Sequence, residues 1–130
     1  MARLLAEAGL PLEGALEAVR EGVVLAEGRQ LVGCAGLERW GELGLLRSVA
    51  VAAERRGQGL GTALVAAAEA RAAAAGIREL YLLTETAAPF FGRLGYLAVP
   101  RAELPGAVAA SPEAGRLCPE SAVAMRRRLG

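Results

Sequence analysis

The chain has 130 residues and a formal net charge of +1, with all its cations arginine and all its anions glutamate. That length is one domain, 1–130, with enough chain to bury a core, and 54% hydrophobic residues mark it as globular. The near-zero charge leaves no field to recruit nucleic acid. Lack of any histidine excludes Ser-His and Cys-His dyads and, with only two cysteines, a zinc site.

No apolar run is long enough to span a bilayer and no signal peptide opens the chain, so a cytoplasmic location is the expectation. Cys34 and Cys118 then read as buried thiols.

In chain order, residues 2–8 predict a short helix closed by Gly9. A second helix is expected from Leu12 to Arg20, with Leu12, Leu16 and Val19 on one face and Gly22 at its end. Val23 to Glu27 and Gln30 to Leu37 read as a hairpin across Gly28-Arg29. Gly41-Glu42 marks the next turn, and Leu43 to Val51 the next strand. Gly59 to Ala75 is a long alanine-rich helix stopped by Gly76. Glu79 to Thr84 is a buried strand. Ala87 to Leu94 is a short helix with Pro89 in its first turn, and Tyr96 to Val99 begins another strand. The segment 100–121 carries four prolines and reads as loop with one helical turn. Ala122 to Arg127 is a last strand, with Arg126-Arg127-Arg128 fraying into water. Strand, helix and strand between 43 and 84 form a βαβ unit with a parallel pair, and the hairpins make the rest antiparallel.

The chemistry concentrates in Val49-Ala50-Val51-Ala52-Ala53-Glu54-Arg55-Arg56-Gly57-Gln58-Gly59-Leu60-Gly61-Thr62. Gly57, Gly59 and Gly61 leave backbone N–H groups uncovered and permit positive φ. The following helix aims its unpaired N–H groups and dipole at the same spot, and Arg56 adds a cation suited to phosphate. A diphosphate is the expected guest. Without lysine there is no P-loop, and the dinucleotide fingerprint would put Thr62 or Leu64 where a small residue is needed.

The spacing Arg56-x-x-Gly59-x-Gly61, after Val49-x-Val51, closely resembles the acetyl-coenzyme A motif of the GNAT superfamily of N-acetyltransferases. Thr84-x-x-Ala87-x-x-x-Phe91-x-x-x-Gly95-Tyr96 resembles the Asn-x-x-Ala-x-x-x-Tyr and Gly-Phe or Gly-Tyr signature of the same superfamily. Leu46-Arg47-Ser48-Val49-Ala50-Val51 and Leu117-Cys118-Pro119-Glu120-Ser121-Ala122 with Met125 look like its arsenic-resistance-linked branch. The sequence departs from the pattern at Thr84 and Phe91, and it begins inside what resembles the fold's first helix, so the usual first strand is expected to be missing.

The resemblance implies a single α/β domain with a mixed sheet, a central parallel pair that splays apart and flanking helices. It implies acetyl transfer from acetyl-CoA to a primary amine, with the diphosphate on Arg56, Gly57, Gln58, Gly59, Gly61 and Thr62. The pantetheine arm would lie along Val49 and Val51, near Thr84 and Phe91. Glu42 or Glu38 is the candidate base. Tyr96 and Tyr81 remain as candidate acids, since Phe91 has no proton to give. Arg47 is the candidate receptor for an anionic acceptor head, such as a carboxylate or arsonate. Arg93 reads as solvent-facing or as a phosphate contact. The resemblance further implies a small-molecule amine partner, and often a homodimer, with no membrane or nucleic-acid partner. A protein N-terminal acetyltransferase and a non-catalytic acyl-CoA-binding module are the alternatives.

Overall fold

The computed structural model describes residues 2–117 and 121–129. Helices α1 (Ala2–Glu7) and α2 (Ala15–Glu21) lead into strands β1 (Val23–Glu27), β2 (Gln30–Trp40) and β3 (Leu43–Val51). A 3-10 turn at Ala53–Arg55 precedes α3 (Leu60–Ala74), β4 (Glu79–Thr84), α4 (Ala88–Arg93) and β5 (Leu97–Val99). The proline-bearing segment folds into a 3-10 turn at Arg101–Glu103, helix α5 (Gly106–Ala109) and a π-helical turn at Glu113–Leu117, before β6 (Val123–Arg128).

One six-stranded sheet runs β1-β2-β3-β4-β6-β5. Among the described residues only β3 and β4 are parallel; the other pairs are antiparallel. Among the described residues, only α1 and α2 precede the β1 edge. Among the described residues, no helix is long and apolar enough to cross a membrane.

The central strand β4 is apolar on both faces because both are covered. Leu80 and Leu82 pack under α3, with Leu64, Val65, Ala68 and Ala72 as its buried stripe. Tyr81 and Leu83 pack on the opposite face with Leu104, Val108 and Ala114 from the segment after β5. A third cluster joins α1 and α2 to Val32, Cys34 and Ala50. α3 stops as expected: Gly76 takes φ +91° and Ile77 N–H returns to the carbonyl of Ala72 at 3.0 Å.

Two expectations need correction. Helix α2 begins at Ala15, after Gly14 takes a left-handed φ of 74°, so Leu12 precedes it. Leu12 and Leu16 are exposed, and Ala15, Ala18 and Val19 are buried. The physical reason is close approach: a Cβ on Gly36 would sit 2.9 Å from Cβ of Ala18, a distance that only small residues permit. Second, Arg126 and Arg127 do not fray. They pair in β6 against Tyr81 and Leu80, and Arg127 reaches Glu69.

Gly22 shows the same tightness. A Cβ there would lie 2.0 Å from the carbonyl oxygen of Ala35. That neighbour is backbone and cannot swing away. Gly22→Ala is expected to destabilise the fold by at least about 2–3 kcal/mol, at the upper end of ordinary overpacking, read as a lowered urea midpoint with an unchanged slope.

Candidate active site

The sheet opens between its two parallel strands. β3 and β4 pair only from Leu43–Leu45 to Glu79–Tyr81, whereas β4 keeps pairing with β6 as far as Thr84. A bulge drives the divergence. Cys34 pairs Ala50 and Gly36 pairs Arg47, so Ser48 and Val49 together oppose Ala35. Such an insertion bends and twists its strand. Ser48 has φ 58°, the one positive value at a non-glycine residue among those described. This backbone costs about 1–2 kcal/mol and persists because its surroundings hold it. The Cys34 thiol donates to the Ser48 carbonyl at 3.1 Å, and Arg47 Nε donates to Ser48 Oγ at 3.2 Å. Burial pushes the Cys34 thiol pKa up, which keeps it a neutral donor.

The opening is a cavity of about 1180 Å³, walled by Val49 and Val51 on one side and Leu82 and Thr84 on the other. At one end lies the glycine loop. Gly57 and Gly59 have φ of 81° and 78°, and nothing lies within 4 Å of where a Cβ on either would stand. Gly59 is the N-cap of α3 and has no side chain to satisfy the first N–H groups. The first backbone bond of the helix is Ala63 N–H to the Gly59 carbonyl, so Leu60, Gly61 and Thr62 present N–H groups without an intrahelical partner. Gly61 differs from expectation. It is helical, and its lack of a side chain instead admits Phe90, whose ring would lie 3.4 Å from a Cβ.

Arg56 borders the cavity, its Nε held at 3.3 Å by the carbonyl of Val51. Gln58 does not border it, because its amide oxygen accepts from Arg55 Nε at 3.0 Å. Arg55 also forks onto both carboxylate oxygens of Glu27, tying the loop to β1. That hydrogen bond holds the Glu27 carboxyl below its usual range. Sequence reasoning missed this brace, whose partners lie 28 residues apart.

Thr84 and Phe91 both border the cavity. Thr84 Oγ1 accepts from Ala87 N–H at 3.0 Å, fixing the turn into α4. Phe91 is buried edge-on between Phe90 and Tyr96. Arg93 lies exposed at the cavity rim.

The four candidate proton carriers are placed elsewhere. Glu42 sits in the exposed turn before β3, at the end away from the bulge, and pairs with Arg78. Tyr81 faces the core under Leu104 and Val108. Tyr96 is buried against α3 with its hydroxyl donating to Glu69 at 2.8 Å. None of them borders the cavity. Glu38 faces a second, smaller cavity of about 430 Å³ on the other side of Arg47. The aromatic hydroxyls are internal because a buried tyrosine needs a partner for its polar tip, and each finds a glutamate.

Burial first, then the bond to Glu69, raises the Tyr96 pKa well above its ordinary value of 10. The folded state therefore holds this proton where the unfolded chain releases it. Its contribution is intact below about pH 10 and is lost as pH rises past that point. Tyr96→Phe is expected to flatten the alkaline fall in stability above about pH 10, checked by urea titrations across pH.

Arg47 differs most from expectation. It borders the cavity, but its side chain is 1% exposed and already engaged. NH1 donates to Glu38 at 2.9 Å, and NH2 donates to the Glu13 carbonyl at 2.6 Å and lies 3.7 Å from Glu113. It organises carboxylates rather than standing open to an anion. Glu113, itself 4% exposed, borders the same cavity and was not singled out by the sequence. Cys118 lies outside the described residues.

Comparison with known proteins agrees with this geometry. A family model described as acetyltransferase (GNAT) domain matches residues 19–97. An uncharacterized N-acetyltransferase of Chlorobaculum tepidum is 33% identical over 95 residues, which is 72% of this chain and 61% of that protein. N-acetylglutamate synthase from Neisseria gonorrhoeae, solved with coenzyme A and N-acetyl-glutamate, superposes with a TM-score of 0.81 at 25% identity. That match covers 98% of this chain and 31% of the synthase. A Mycobacterium tuberculosis protein solved in complex with CoA superposes with a TM-score of 0.73 at 25% identity, over 91% of this chain and 81% of its own. The chain thus spans less than two thirds of the Chlorobaculum relative and under a third of the synthase. With the glycine loop, the splayed strands and the matched region in agreement, the chain belongs to the GNAT acetyltransferase family.

Proposed function

We propose that the chain is an acetyl-CoA-dependent N-acetyltransferase that transfers acetyl to the primary amine of a small molecule. The observation that carries this reading is the continuity of one cavity. It runs from the left-handed glycine loop, along the unpaired side of β3, to the buried Arg47 and Glu113.

The residues present fit the cofactor. Gly57 and Gly59 leave open space where side chains would block a diphosphate, and Leu60, Gly61 and Thr62 offer N–H donors at a helix N-terminus. Arg56 supplies a cation beside them. Val49 and Val51 would flank the pantetheine arm, since β3 has no partner on that side beyond Leu45. When bound, acetyl-CoA supplies an activated acetyl thioester. The protein's part is positioning, which replaces encounter by proximity, and polarisation by backbone N–H groups of β3 near the bulge. The strained Ser48 fixes the direction of those groups before substrate arrives.

The depth of the cavity supports a small amine over a peptide, since the Arg47 and Glu113 that border it are 3% and 4% exposed. Among small amines, the resemblance of residues 46–51 and 117–122 to the arsenic-resistance-linked branch supports an amino-acid-like arsenical or related toxic metabolite. The test is thiol release from acetyl-CoA over a panel of amino acids, aminoalkyl arsonates and phosphonates, neutral-headed amines and peptides. Amine-dependent release is expected from the small amines. Binding of acetyl-CoA without release by any member would leave a binding module in place of an enzyme.

A further inference from the structure

We propose that Leu46 and Leu82 set the length of the acyl chain that this enzyme accepts, restricting it to acetyl. The inference rests on the transferase reading above and names the residues that would choose its acyl donor.

The bulge in β3 resets which side chains share a face. In a regular strand Leu46 would share its face with Ser48 and Ala50. The extra residue at Ser48 and Val49 shifts that alternation by one, so Leu46 falls in line with Val49 and Val51 instead. Packing agrees. Leu46, Val49 and Val51 belong to the cluster under α3, whereas Ala50 packs with α1 and α2, and Arg47 turns to Glu38 and Glu113.

On β4, Leu82 lies in the same cluster as Leu46. The last paired residues of the two strands are Leu45 and Tyr81, so Leu46 and Leu82 are the first to follow where the strands part. They stand at the apex of the opening. Both border the cavity, and both are buried, at 2% and 1% exposure.

The glycine loop follows β3 at its Val51 end. An arm running from that loop past Val51 and then Val49 carries its acyl group toward Leu46 and Leu82. Acetyl adds the least to that length. Each further methylene is pressed toward two leucines that pack in one cluster with Leu64 and Val65 of α3. A dense interior resists added carbon, because overpacking forces side chains out of their preferred rotamers.

The test is calorimetric titration of the full chain with CoA, acetyl-CoA and butyryl-CoA, for wild type, Leu82→Ala, Leu82→Val, Leu46→Val and Leu80→Val. Wild type is expected to bind butyryl-CoA at least about tenfold more weakly than acetyl-CoA. A leucine-to-alanine change removes more carbon than butyryl adds to acetyl, so Leu82→Ala should bring the two Kd values within about threefold of each other. The two valine variants remove less, keep the core filled if the alanine variant unfolds, and should each narrow the gap by about twofold or more. Affinity for CoA, which has no acyl group, should stay within about twofold of wild type in every folded variant. Leu80→Val is the control. Leu80 is two positions before Leu82, fully buried in the same cluster, and does not border the cavity, so its variant should leave the ratio of the two acyl-CoA affinities unchanged.

Equal affinity of wild type for acetyl-CoA and butyryl-CoA overturns the proposal. So does a ratio that no variant at Leu46 or Leu82 moves, or one that Leu80→Val moves as far, which marks a general loosening of the core. Failure of the transferase reading is distinct: wild type would then bind none of the three, and this inference would fall with it.

Discussion

Gly59→Glu is expected to remove acetyl-CoA binding, with Kd raised at least about 100-fold, or about 2.7 kcal/mol. Two effects add. Gly59 has φ 78°, a conformation that costs any L side chain about 1 kcal/mol or more. The new carboxylate would also stand at the N-terminus of α3, where the N–H groups of Leu60, Gly61 and Thr62 await an anion. It would occupy those donors and repel a diphosphate. Gly59→Ala separates the two effects. It keeps the strain and adds no charge, and there is open space for its methyl. About 1 kcal/mol of stability should go, with affinity falling less than about tenfold. Equilibrium unfolding and calorimetric titration of both variants read the difference. Equal losses in the two variants would mean that loop shape alone, and no anion site, governs binding.

Arg47→Ala is expected to cost about 3–5 kcal/mol of stability, because it removes the buried guanidinium that pairs with Glu38 and lies 3.7 Å from Glu113. Its side chain is 1% exposed, and Glu38 and Glu113 are 23% and 6% exposed, so water offers little relief. The bulge suffers too, since Arg47 Nε braces Ser48. Arg47→Lys keeps the charge but has no fork to reach Glu38, Ser48 and the Glu13 carbonyl together, and should lose part of the same energy. Urea midpoints measure both variants. A simple anion receptor would behave differently: its removal would raise KM for the acceptor and leave the midpoint almost unchanged.

The glycine loop was legible in the sequence because its constraint is local. A left-handed N-cap with open space around it needs glycine at set spacing beside a strand, and no distant residue alters that. Strand order was legible for a related reason, since hairpin turns at Gly28 and Gly41 and one crossover helix leave few topologies. The buried carboxylate at the cavity was not. Glu113 lies in a segment with prolines at 100, 105, 112 and 119, where no periodicity marks an inward face. It meets Arg47, on a strand 66 positions earlier, which is a tertiary fact. Glu42 and the tyrosines were attractive by residue type, but type says nothing of whether a side chain meets a cavity or a core. The bulge at Ser48 had no signal at all, since serine is not a residue that favours positive φ. Leu12 and Leu16 misled because helical spacing assumes that the larger residues face inward, and here α2 lies too close to Gly36 for them.

The central claim is that the glycine loop and the splayed strands form an acetyl-CoA site. The measurement that tests it most directly is calorimetric titration of the full chain with acetyl-CoA, with Gly59→Glu in parallel. The account predicts one site per chain, with binding lost in the variant while its fold, read by circular dichroism, is kept. Folded parent protein that takes up no acetyl-CoA would contradict it.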